Sequence, residues 1–356
     1  MKFVSPLLKQ VVYPCLSTAG YFAATSKPGL AVVTYHGVLP SDYRPIDPVF
    51  DGSFITAEVF REQLRLLKKK YTVISPDEMR AWCRGAGQLP SRAVLLTCDD
   101  GLLNNLTEML PILNEEGVRC LFFVTGASTS IERSMLWYQK LLLIFLRAPA
   151  GKFSISAGEF EITGVLAEVS QRRRVWWDSV VRMSGLDPRG REEFLDNACA
   201  HIQVEDPLSF YRLSYPAAER HFCLMTAGEV KQLADSGMTI GAHTSTHPLL
   251  SQLAPDVAWS EMADSRTRLE SMLGMPIWAL AYPFGYPESV SPQIFEMAER
   301  IGFEAAFMNV GGGLGADLPR HAMPRIHVSA EMSSAELEAH VSGFYEGMKR
   351  GLRRSA

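Results

Sequence analysis

Two adjacent carboxylates, two histidines four residues apart and a proline–glycine turn are the residues of this chain best suited to chemistry. Asp99 and Asp100 lie in Thr97-Cys98-Asp99-Asp100-Gly101. Neighbouring carboxylates repel each other and resist desolvation unless a cation or a shared proton compensates. A helix N-cap with Gly101 at the turn accounts for one of them, hardly for both. His243 and His247 bound the segment His243-Thr244-Ser245-Thr246-His247. At that spacing two imidazoles can share one face of a helical turn and hold one metal ion. With one aspartate they make a His₂–carboxylate set with positions open for water and substrate, the pattern of a catalytic metal rather than a structural one. The third segment, Ala281-Tyr282-Pro283-Phe284-Gly285, must turn, and such a turn can present an unpaired N–H to a ligand.

All three segments close short apolar runs. Strands are expected at 31–36, 93–98, 119–125, 238–243, 277–282 and 303–308, several of them apolar almost throughout, as parallel strands covered on both faces must be. Helices are expected between them. Residues 256–273 put Ala258, Met262, Ser265, Leu269 and Met272 on one face ahead of Gly274, and 104–116 repeat the design, with Pro111 kinking the helix or starting its regular part. Strands alternating with helices define a parallel α/β fold, whose active site lies beyond the strand C-termini.

The chain has 356 residues and a net charge of −4, so nothing in its overall charge draws it to nucleic acid. Its six cysteines form no C-x-x-C pair, which favours a reducing compartment and a cytoplasmic location. The uncharged stretch 10–26 only faintly imitates a signal peptide, and no run reaches the roughly 20 apolar residues of a spanning helix. A basic amphipathic helix over 335–352 is expected to pack on the core, and peripheral membrane contact is compatible with its basic end.

In order and in sequence, TCDDG, HTSTH and AYPFG resemble the signatures of the polysaccharide deacetylase family (NodB-homology, carbohydrate esterase family 4). The resemblance covers about 30–128 and 223–328. TYHGV (34–38) and the AYPFG form are closer to the poly-N-acetylglucosamine deacetylase branch than to the chitin-deacetylase branch. The resemblance implies a distorted (β/α)₇ barrel and a divalent metal, usually Zn²⁺. It implies Asp99 as general base, Asp100, His243 and His247 as metal ligands, and the Phe284 N–H as an oxyanion donor. For the general acid it points to His36, with His327 as the alternative. The chitin-deacetylase branch has an arginine near the position of Ala281 that orients the base; here Arg325 is the candidate replacement. Cys98 stands where phenylalanine is usual, and the glycine run 311–315 stands where that branch keeps an acidic–tryptophan segment.

The organisation expected is an N-terminal segment 1–29, a catalytic domain 30–328 with a mainly helical insertion at about 130–222, and a C-terminal helix over 329–356. Within the insertion, RRRVWW (172–177) reads first as a solvated helix face with Trp176 or Trp177 packed beneath, and second as a grip on a phosphate or a sugar ring. The implied activity is metal-dependent removal of N-acetyl groups from an N-acetylated saccharide. The alternatives are hydrolysis of a non-sugar amide, such as a cyclic ureide or imide, on the same barrel, and a catalytically inactive carbohydrate binder.

Overall fold

The computed structural model describes residues 6–26, 28–203, 207–208, 217–311 and 318–354. All but Gly311 of the glycine run 311–315 lies outside them. Eight parallel strands form one sheet: β1 (Gly29–Tyr35), β2 (Thr72–Ile74), β3 (Arg92–Cys98), β4 (Leu121–Val124), β7 (Thr239–Ala242), β8 (Ala279–Ala281), β9 (Ala305–Phe307) and β10 (Ile326–His327). Their order is β10-β1-β3-β4-β7-β8-β9. β2 takes the lower part of β3, opposite residues 93–95, while β4 pairs at Thr97 and Cys98. The sheet curls into a distorted barrel: Met323 bridges to Phe307 in β9, and Ile326 pairs with Val33 in β1.

The near-continuous apolar strands serve two layers. On β3, Val94, Leu96 and Cys98 pack outward beneath the helices, whereas Ala93 and Leu95 point inward with Phe123, Ala281 and Phe307. Cys98 is thus a core residue. The helix expected near 104–116 opens with a π-turn at Asn105–Met109. Pro111 lies in the first turn of its regular part, Leu110–Glu116, where a missing N–H costs nothing. The helix Pro255–Leu273 matches expectation and ends at left-handed Gly274.

The expected single C-terminal helix is two, Ser334–Val341 and Phe344–Arg354. Left-handed Gly343 breaks it, and Ser342 Oγ accepts the Phe344 N–H that a continuous helix would have used. Against Ser334–Val341 packs the N-terminal segment, whose Tyr13 and Phe22 are buried with Ala339. Among the described residues, no helix is long and apolar enough to cross a membrane.

Among its described residues the insertion holds four helices, Trp137–Arg147, Val169–Met183, Pro188–Ile202 and Ala218–Phe222. It also holds an antiparallel hairpin, β5 (Gly151–Ala157) and β6 (Phe160–Leu166), which the sequence reading does not anticipate. Phe153, Ile155 and Ala157 alternate with exposed Lys152, Ser154 and Ser156, so one face packs on the insertion's own apolar cluster. The insertion leaves and rejoins the barrel at one place, where Met135 bridges Cys223. Most of RRRVWW is structural. Arg172 is buried and donates to the Phe145 and Ala148 carbonyls, Arg173 pairs with Asp47 at 2.8 Å, and Trp176 is packed.

Candidate active site

The site is built where β1, β3, β7 and β8 end, with the approach to β10 closing one side. After β3 the chain turns through Asp100 and Gly101, with φ of 75° and 76°, separating two carboxylates that the sequence leaves side by side. Asp99 faces Arg325. Arg325 Nη1 and Nη2 donate to its two oxygens at 2.7 and 2.6 Å, while Arg325 Nε donates to the Met308 carbonyl at 3.1 Å. Both side chains are buried, and the guanidinium lies against the adjoining Phe123 and Phe307 rings. Burial works to raise the Asp99 carboxyl, and the Arg325 charge overrides it, leaving the group below its ordinary range.

Asp100 faces the histidines. Its Oδ1 lies 3.5 Å from His243 Nε2 and 3.3 Å from His247 Nε2, and one ligand atom from each of the three residues falls within 4.8 Å of the others. His243 Nδ1 lies 2.8 Å from the Ala281 carbonyl, so Nδ1 carries the proton and Nε2 presents its lone pair to the cluster. Buried Asp100 is held well below the usual carboxylate range despite desolvation, by the two imidazoles and the nearby His36. A carboxylate and two imidazole nitrogens converging in a buried site, one tautomer fixed from outside, fit a divalent cation.

The histidines meet through a bent loop rather than the helical turn expected from their spacing. Thr244 and His247 have φ of 60° and 57°. Four of the five non-glycine residues with positive φ among those described, Asp100, Thr244, His247 and Phe284, belong to this site. The loop is braced from two sides. Glu261 accepts from the Thr246 N–H and Oγ1, at 2.8 and 2.5 Å. From the insertion, Arg191 Nη2 donates to Thr246 Oγ1 at 2.8 Å and the Trp137 indole donates to the His247 carbonyl at 3.3 Å. Sequence reasoning missed Arg191, Trp137 and Glu261, because no local spacing connects them to the histidines.

Phe284 sits at the turn after β8 with φ 61°, and its N–H meets no acceptor among the described residues. Gly285 is required there, since a Cβ would come within 2.6 Å of the Asn309 nitrogen. His36 and His327 lie edge to face with ring centroids 4.9 Å apart, each with a buried Nδ1 that lacks a partner. Burial and the neighbouring His36 push His327 down to about 3, so it is a neutral imidazole at neutral pH. Asn105 fixes the His36 backbone, donating to its carbonyl at 3.3 Å. Tyr138, also unanticipated, reaches in from the insertion, its ring 5.0 Å from that of His247; burial and then Asp100 raise its phenol well above the ordinary value.

A parallel α/β barrel with an Asp/His/His cluster beyond its strand ends defines a deacetylase-type fold, and the comparisons agree. Residues 86–143 and 207–306 match the sequence model of the polysaccharide deacetylase family. The chain belongs to that family. It is 28% identical over 117 residues to YxkH of Bacillus subtilis (strain 168), whose name ascribes it polysaccharide deacetylase activity; the match spans 33% of this chain and 41% of that protein. Among solved structures, the Streptococcus pyogenes deacetylase PplD in complex with acetate aligns with a TM-score of 0.55 at 17% identity, covering 89% of this chain and 99% of that one. IcaB from Ammonifex degensii aligns with 0.54 at 19% identity, covering 89% and 98%. At such identities these likenesses establish the fold.

Proposed function

We propose that this protein removes N-acetyl groups from an N-acetylated sugar or polysaccharide, with a divalent cation, zinc by the family's usual choice, held by Asp100, His243 and His247. The observation that carries the reading is the division of the aspartate pair: Asp100 Oδ1 meets two imidazole Nε2 atoms, while Asp99 is clamped by Arg325. A cation there supplies positive charge that polarises an acetamide carbonyl and acidifies a water.

The chain's own groups do the rest. Asp99, kept ionised by Arg325, accepts the proton of the attacking water. The free Phe284 N–H donates to the developing oxyanion, a contact whose removal costs about 3–4 kcal/mol in other enzymes. His36 donates a proton to the leaving nitrogen, which departs poorly as an anion, and neutral His327 packs against it. The TYHGV segment carrying His36 supports the poly-N-acetylglucosamine branch as the nearest in substrate.

Acetate release from a panel of N-acetylglucosamine oligomers tests the reading. Release that disappears with chelator and returns with zinc is expected. Loaded protein that releases acetate from none of them, yet opens cyclic ureides or imides, would replace the sugar with a non-sugar amide.

A further inference from the structure

Aromatic rings run outward from the histidine loop in an unbroken wall. The Phe284 ring lies 4.8 Å from His247, 5.4 Å from Tyr138, 5.6 Å from Trp177 and 6.3 Å from Tyr286, and Trp177 and Tyr286 are 6.3 Å apart. Two of these rings, Tyr138 and Trp177, belong to the insertion, and two to the turn after β8. Burial falls along the wall, from His247 at 2% exposure to Tyr286 at 36%.

Packing explains Trp176 fully and Trp177 only in part, on the side that meets the insertion's apolar cluster. Trp176 is buried and its indole N–H donates to the Tyr138 carbonyl at 2.7 Å. Trp177 is half-buried, and its indole N–H has no acceptor among the described residues. Two of the neighbouring guanidiniums are engaged elsewhere, Arg172 on backbone carbonyls and Arg173 on Asp47. What remains is a contiguous set of rings, with Phe284 and Trp177 half-buried, Tyr286 exposed, and an indole N–H that has no acceptor among the described residues. Such faces suit the C–H face of a pyranose, whose hydroxyls take the polar atoms around it.

We propose that Trp177, Tyr286, Phe284 and Tyr138 form a sugar-binding wall, on which a pyranose ring of the acetylated saccharide stacks while its acetamide reaches the Asp99/Asp100 end. The insertion is thereby part of the substrate site. This rests on the deacetylase reading for the saccharide's identity, and the two can fail separately.

The test pairs kinetics with calorimetry, using the N-acetylglucosamine tetramer on the full chain. Trp177→Leu and, independently, the more exposed Tyr286→Leu should each raise KM roughly tenfold, with the smaller part of the defect in kcat. In an Asp99→Asn background the same substitutions should weaken tetramer binding by a similar factor. If both variants bind and turn over the tetramer as the parent does, the wall is not a sugar site, although deacetylation stands. If the parent binds the tetramer through these rings but releases no acetate, the wall stands and the deacetylase reading falls. Absence of both binding and release would overturn both.

Discussion

Arg325 and Asp99 face each other in a buried two-pronged contact, joining the approach to β10 with the end of β3 across 226 residues of sequence. Among the described residues, neither partner makes another ion pair. Truncating Arg325 leaves a carboxylate buried without its counter-charge, a change that costs about 3–5 kcal/mol in other proteins. Arg325→Met should therefore lower stability by that order in denaturant unfolding, and Arg325→Lys by less.

The same contact sets a pH dependence. The Arg325 charge holds Asp99 below its ordinary range, so its carboxylate stays ionised into acid. Without that charge, desolvation dominates and the Asp99 pKa rises. The acidic limb of kcat/KM against pH should move to higher pH in Arg325→Met, and less in Arg325→Lys, which keeps a positive charge. A limb that stays in place would assign it to another group.

The carboxylate pair should divide its labour. Asp99→Asn should retain the metal and lose most turnover, whereas Asp100→Asn should lose metal at a given free concentration. Elemental analysis against acetate release separates them. Two variants with equal metal and full activity would reduce the pair to a helix cap.

The histidine pair makes a directional prediction. His36→Ala should lower kcat on an acetylated sugar by roughly 10²–10⁴-fold, the usual range for a general acid. An aryl acetate, whose leaving group needs little protonation, should show a smaller defect. His327→Ala should do less on either substrate, because that ring is neutral at working pH. A silent His36 variant beside an inactive His327 variant would exchange the roles.

Arg191 braces the histidine loop from the insertion. Arg191→Met should weaken metal binding by about 10–100-fold, the range for losing an outer hydrogen bond to a ligand loop. Competition with a chromophoric chelator measures it. Unaltered affinity would mean that Glu261 and Trp137 hold the loop without it.

The strands were legible because a parallel strand covered on both faces must be apolar along its length, and β1 and β3 are. β2 escaped because three residues carry too little pattern, and the β5–β6 hairpin because its exposed Lys152, Ser154 and Ser156 mask the alternation of Phe153, Ile155 and Ala157. The Asp100/His243/His247 cluster was legible for a local reason: each segment of two to five residues lies at a strand end. The backbone that unites His243 with His247 was not, since left-handed Thr244 and His247 are permitted only by the surrounding contacts. Arg191, Trp137 and Tyr138 touch the loop from a separate apolar cluster, and that docking has no signature in local spacing.

The bridge between Met135 and Cys223 has a consequence for folding. Two chain ends held at the spacing of adjacent strands, about 5 Å, form a loop whose closure entropy grows only slowly with the length between them. A segment with its own apolar cluster can bring its ends together as it folds, and the barrel then closes as though a short turn stood there. If the insertion folds first, the long-range pairing of β4 with β7 becomes a local event. New termini opened in the β5–β6 turn should leave that order of events, and the barrel, intact.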